Sequence, residues 1–77
     1  MRITLHLSGG LRAVLDHLPE KLELTLPRPA RVGEILIRAG INPLLAMLVT
    51  LDGEKADLDH LVKKDGEMVV TGPAAGG

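Results

Sequence analysis

The sequence predicts a small α+β domain on three observations: two runs of strand-like alternation in its first third with turn-bounded apolar runs in its last third, one main stretch of helical periodicity between them, and a length that fits a single core. A chain of 77 residues buries about 60% of its unfolded surface on folding. Hydrophobic residues make up 45% of it, mostly Leu, Ile and Val, enough for one compact core but not for a deep enclosed cavity.

Ile3, Leu5 and Leu7 alternate with Arg2, Thr4 and His6, the period of two that marks a strand with one buried face. Gly9-Gly10 ends that strand. Leu11, Val14, Leu15 and Leu18 recur at helical spacing before Pro19, which predicts a short helix or turn. Leu22, Leu24 and Leu26 form a second alternating run, closed by Pro27 and Pro29, which cannot donate to a sheet ladder. From Val32, the positions Ile35, Leu36 and Ala39 follow a 3.6 period and predict the main helix. Gly40 stands where a left-handed cap belongs, and Asn42-Pro43 blocks continuation. Leu48 to Leu51 runs into Asp52-Gly53, and Glu67 to Thr71 follows Asp65-Gly66, so two strands are expected beside two tight turns. Residues 57–61 suit one 3₁₀ turn pinned by Leu58 and Leu61.

Strand, short turn, strand, helix, strand, short turn, strand is the order of a β-grasp fold, with a mixed sheet of four to five strands and one main helix across a face. In that arrangement the first and last strands pair in parallel, and the tail leaves at one end. The expected organisation is therefore a domain over residues 1–71 and a flexible C-terminal Gly-Gly tail over 72–77.

Composition removes several classes of function. Without Phe, Tyr or Trp, nothing can stack on bases or form an aromatic belt at a membrane. Nine basic and ten acidic residues, scattered along the chain, give a net charge of -1 and no patch to capture phosphate backbones. The absence of Cys removes thiolate nucleophiles and sulfur ligands and suits a reducing compartment. The first ten residues alternate where a signal peptide is continuously apolar, and no apolar run approaches ~18 residues. A cytoplasmic location, no nucleic acid and no membrane are the expectations.

The last six residues, Gly72-Pro73-Ala74-Ala75-Gly76-Gly77, carry no charge and no bulky side chain. At an average glycine usage of ~7%, a terminal Gly-Gly arises by chance in about half a per cent of chains, so a frayed end is the less economical account. A terminal carboxylate becomes electrophilic once adenylated, and a slim tail lets a partner's channel admit it. Without Cβ atoms, Gly76 and Gly77 leave the carbonyl open to attack; Ala74 and Ala75 keep the tail slim, and Pro73 fixes one backbone angle.

The closing stretch Leu61-Val62-Lys63-Lys64-Asp65-Gly66-Glu67-Met68-Val69-Val70, then Gly72-Pro73 and Gly76-Gly77, resembles the ThiS/MoaD family of ubiquitin-like sulfur carriers. Val32-Gly33-Glu34-Ile35-Leu36 with Gly40-Ile41 resembles that family's helix. The resemblance implies a carrier that catalyses nothing and binds no cofactor. A ubiquitin-activating-type adenylyltransferase would use ATP to adenylate Gly77. A persulfide sulfur donor would then convert it to a thiocarboxylate, with Gly76, Ala75, Ala74, Pro73 and Gly72 as tail recognition elements. The acceptor would be a synthase, such as a molybdopterin synthase large subunit or a thiazole synthase of thiamine synthesis. The Gly9 to Pro19 insertion resembles the molybdopterin branch, whereas His6, Leu7 and Thr71 stand where that branch often has aromatic residues. Both pathways stay open, as do a protein modifier conjugated through Gly77 and an interaction domain with an inert tail.

Other chemistry is poorly supported. Ser8 is the sole serine and lies at a strand end, which disfavours an acyl carrier; Ser8-Gly9-Gly10 reads as a turn. Asp57, Asp59 and His60 match no rigid metal site, and His6 and His17 lack a nucleophile and read as surface residues. Partner contact is expected on the exposed face of the final strands. Met47 and Met68 are candidates for that face, with core packing the expected role of both.

Overall fold

A computed structural model describes residues 1–73; Ala74 to Gly77 lie outside the described residues. Seven strands and two helices follow in the order β1 (Arg2–Gly9), α1 (Leu11–Val14), β2 (Lys21–Thr25), β3 (Ala30–Arg31), α2 (Val32–Arg38), β4 (Leu48–Leu51), β5 (Glu54–Lys55), β6 (Leu61–Val62) and β7 (Gly66–Gly72). A 3₁₀ turn, Pro43–Leu45, sits between α2 and β4. Five strands form one mixed sheet in the order β2-β1-β7-β4-β5, and β3 and β6 make a separate two-stranded ribbon.

The centre of the sheet is the parallel pair of β1 and β7, from Ile3 opposite Gly66 to Gly9 opposite Gly72. The predicted alternation sets which face is buried. Ile3, Leu5 and Leu7 of β1 join Met68 and Val70 of β7 beneath Ile35 and Leu36 of α2, while Thr4, His6 and Ser8 point the other way. The apolar layer between sheet and helix is the centre of a core that Leu11 and Leu15 extend at α1, and Ala30 and Val62 at the ribbon.

The main helix ends as its sequence predicts. Gly40 adopts φ +84, its N–H donates to the Ile37 carbonyl at 3.0 Å, and the Ile41 N–H reaches the Leu36 carbonyl at 2.9 Å. That pair of bonds is a Schellman closure, and buried Ile41 returns the chain to the core. At the other end of α2, the loop before β6 supplies acceptors: the Val32 and Gly33 N–H groups donate to the His60 and Leu58 carbonyls at 3.0 and 2.8 Å. The four orphan amides of the helix start are thereby partly satisfied by backbone.

Four local expectations change. The first helix stops at Val14, whose side chain is exposed, and Leu15 alone continues its buried stripe. The two Asp-Gly pairs also behave differently. Asp52 and Gly53 both take positive φ (51° and 87°) in the β4-β5 hairpin, whereas Asp65-Gly66 makes no tight turn. Gly66 opens β7, and a Cβ there would lie 2.9 Å from Asp52 Oδ2, so a side chain at this position would have to displace the Asp52 carboxylate. Residues 57–60 do turn, the His60 N–H donating to the Asp57 carbonyl at 3.1 Å. Leu58 and Leu61 do not anchor it in the core, because they stay 41% and 38% exposed and Leu61 belongs to the ribbon. Lastly, Asn42-Pro43 does not merely stop the helix. The Asn42 side chain accepts the Leu44 N–H at 3.0 Å and opens the 3₁₀ turn.

Candidate functional site

The site sits where β7 ends. The strand runs to Gly72, one residue past the expected boundary at Thr71, and Gly72 is buried rather than part of a free tail. A Cβ at Gly72 would stand 2.9 Å from Leu11 Cδ2 and 3.1 Å from the Leu11 backbone nitrogen, and nearer still to Leu11 Cγ. Leu11 is itself fully buried at the start of α1. Only glycine lets the last strand pass this close to the helix, so Leu11 and Gly72 together fix where the chain leaves the sheet. Opposite Gly72, Gly9 takes φ +64 with its hydrogen face 3.3 Å from Thr71 Cγ2, counted to an added Cβ. The glycine pair that reads in sequence as a turn thus also lines the exit of the last strand. Pro73, exposed, is the last described residue. Ala74, Ala75, Gly76 and Gly77 lie outside the described residues.

Beside this exit is an exposed apolar surface. Register places Ser8, Thr71 and Leu48 side by side on the outer face of the sheet, and His6, Val69 and Thr50 in the next row. Lys21 and Lys55 extend that second row on either side. The Met47 N–H donates to the Thr71 carbonyl at 2.8 Å and ties the segment after the 3₁₀ turn to the strand end. Leu44 is 88% exposed, Met47 72%, Leu48 41% and Val69 36%. Met47, Leu48 and Val69, left in water around one strand end, with Leu44 exposed in the turn that leads to them, mark an interaction surface.

The consecutive run Met68-Val69-Val70 leaves one surplus apolar residue for the outer face, and register identifies it as Val69. The two methionines separate: Met68 is core, as expected, and Met47 is not. The expectation for Met47 fails because it lies before β4 begins, outside any period that sequence could supply. Leu44 was missed for a similar reason, since a 3₁₀ turn of three residues has no periodicity to read.

His17 is exposed, and His6 lies 4.0 Å from Glu67 Oε2 on the sheet surface. Among the described residues no group of three or more His, Cys, Asp or Glu side chains is placed to hold a metal, and no helix is long and apolar enough to cross a membrane.

Comparison with solved structures decides the architecture. SAMP1 from Haloferax volcanii superposes with a TM-score of 0.73 at 21% identity over 100% of both chains. The chain has a β-grasp fold. A second structure, H. volcanii small archaeal modifier protein 1, shares this β-grasp at TM-score 0.71 and 20% identity, over 95% of this chain and 98% of the other. A putative molybdopterin converting factor, subunit 1, from Pyrococcus furiosus gives 0.69 at 14% identity, over 96% and 99%. No protein-family model matches the sequence, and none of the curated proteins does. At these identities the likenesses establish the β-grasp fold alone.

Proposed function

We propose that this chain is a ubiquitin-like sulfur carrier whose working group is the carboxylate of Gly77. The observation that carries the reading is the exit of β7: Gly72 is locked against Leu11, with Leu44, Met47, Leu48 and Val69 exposed beside it. Gly77 is the fifth residue beyond Gly72, a contour of at most about 18 Å. A partner that docks on the apolar surface therefore has the terminal carboxylate within a short, fixed reach.

The chemistry belongs to the partners. A carboxylate oxygen of Gly77 attacks the α-phosphorus of ATP, pyrophosphate leaves, and the acyl-adenylate forms on an adenylyltransferase. The terminal sulfur of a persulfide then attacks the acyl carbon and displaces AMP, giving an acyl disulfide. A thiol cleaves its S–S bond, and the thiocarboxylate is released as the donor becomes a disulfide. Gly76 and Gly77 present no Cβ to obstruct either attack. The acceptor is the pterin precursor of a molybdopterin synthase or the thiazole precursor of thiamine; the molybdopterin converting factor among the structural neighbours favours the first. The chain works in a soluble compartment alongside these enzymes.

A second reading has its own support, since two neighbours are described as small archaeal modifier protein 1 or SAMP1. In it a lysine amine attacks the same acyl-adenylate, or a thioester derived from it, and Gly77 ends in an isopeptide bond. Intact mass after incubation with an adenylyltransferase, ATP and a persulfide donor separates the readings. Replacement of one oxygen by sulfur, absent when Gly77 is deleted, supports the carrier. Attachment to protein amines without sulfur supports the modifier, and an unchanged mass with activators of both types rejects both.

A further inference from the structure

A concave feature lies toward the opposite end of β7 from its exit. It is a groove of about 380 Å³, half open to solvent, between the end of β4 and the segment from β6 onward. Leu51 and Leu61 supply apolar surface, with Val62 behind them, and Lys63 and Lys64 stand on one wall. Leu51 pairs with Met68 near the start of β7, while the exit is at Gly72, so about four residues of strand, roughly 13 Å, separate the two places. Leu51 also faces the helix side of the sheet, away from the outer surface that carries Val69.

We propose that this groove binds a short extended peptide segment of a partner protein, one that presents one or two aliphatic side chains flanked by carboxylates. The apolar lining takes the aliphatic groups. Neither Lys63 nor Lys64 forms a salt bridge among the described residues, where the ion pairs are His6–Glu67 and Arg12–Glu20. The acidic neighbours are turned to other work: Asp52 Oδ1 accepts the Glu67 N–H at 2.9 Å, and Asp65 Oδ1 accepts the Arg2 N–H at 2.7 Å. The two ammonium groups are thus left for a visiting carboxylate, with His60 completing the wall.

Three features select a peptide over other occupants. The volume is at the small end of the ~300–1,000 Å³ typical of ligand pockets, and a half-open groove leaves a small molecule too exposed to bind well. Asp52 in the lining and Asp65, next to the lysines in sequence, oppose a polyphosphate backbone while tolerating one or two carboxylates. Finally, β6 has β3 as its one ribbon neighbour, so an extended segment meets backbone groups that the ribbon does not use. Occupation of this groove leaves the β7 exit open, which allows a second protein to hold the chain while its terminus is modified. The proposal stands whether or not Gly77 carries sulfur.

The test is a displayed hexapeptide library whose two central positions are Leu, Ile, Val or Met and whose others are Asp, Glu, Lys or Ser, selected against the full chain. The best peptide is then titrated into labelled protein and followed by amide chemical shifts. Enrichment of acidic flanks, with shifts confined to Leu51, Asp52 and residues 60–64, is the expected result. The double substitution Lys63→Glu, Lys64→Glu should weaken binding about tenfold, the sum of two rim ion pairs, with the remaining spectrum unchanged. Leu61→Ser, at an exposed position, should weaken it without the charge change. Lack of enrichment, enrichment of lysine-flanked peptides, shifts centred on Leu48 and Val69, or indifference to both variants would overturn the proposal.

Discussion

Replacing Gly72 by alanine puts a methyl group into space already held by Leu11. The added Cβ would meet Leu11 Cδ2 at 2.9 Å and the Leu11 nitrogen at 3.1 Å. The side chain could swing aside, but the nitrogen moves only if α1 moves, and Leu11 is fully buried. Overpacking of this kind costs about 1–3 kcal/mol. A domain of this length is stable by about 4–12 kcal/mol at 0.05–0.15 kcal/mol per residue, so the variant folds but loses a sizeable fraction of its stability. The expected fall in Tm is roughly 5–20 °C, at 4–8 °C per kcal/mol for a domain this small. Leu11→Ala alone should cost about 2–5 kcal/mol through the cavity it leaves. In the double variant the new methyl enters that cavity, so the combined loss should fall about 1–3 kcal/mol short of the sum. Urea unfolding followed by far-ultraviolet circular dichroism suits the measurement, because no aromatic residue is present to report by fluorescence. Additivity within about 0.5 kcal/mol would show that the two positions do not compete for one space, and the locked exit would be refuted.

Other substitutions test separate links. Gly40→Ala should cost about 1–2 kcal/mol by urea unfolding from the left-handed conformation alone, since nothing lies within 4 Å of the new methyl; Gly40→Asn should recover part of it. Asp52→Ala should lose about 1–2 kcal/mol, because its carboxylate holds the Glu67 N–H and its φ of 51° suits Asp better than Ala, and amide exchange at Glu67 would register the loss. Leu48→Glu should leave stability within about 0.5 kcal/mol yet reduce adenylation of Gly77 about tenfold, measured as pyrophosphate release with a molybdopterin-type activating enzyme. Equal activation of Leu48→Glu and the parent would remove the apolar outer face from the proposed docking surface.

Periodicity carried the fold because the elements that matter are regular. Alternation in β1 gave its inward face, whereas the unbroken run Met68-Val69-Val70 left the inward face of β7 to its register with β1; Gly40 marked the helix end through a backbone angle that few residues adopt. What sequence did not reveal lies in pieces too short to have a period: β3, β5 and β6 contain two residues each, and the Pro43–Leu45 turn three. The role of Gly72 was hidden for another reason. Its requirement comes from Leu11, sixty-one positions away in the chain (72 minus 11), and only the parallel pairing of β1 with β7 brings the two together. By sequence alone Gly72 reads as the first residue of a tail. In the structure it is the last residue of the core.

That relocation bears on what a partner can recognise. The row Ser8, Thr71 and Leu48 draws on the first strand, the last strand and the one between β7 and the hairpin edge, so it exists only after the ends of the chain have paired. A parallel pair between the two termini closes the longest loop in the fold and is among the costlier contacts to form. In the proposed function an adenylyltransferase that grips this row therefore distinguishes folded chains from unfolded ones, although both carry the same Gly76-Gly77. Moving the last six residues onto an unrelated flexible polypeptide should accordingly give a substrate with a much raised KM for adenylation, even though the reacting carboxylate is unchanged. An equal KM for the two substrates would mean that the tail alone is read and that the β-grasp domain contributes nothing to activation.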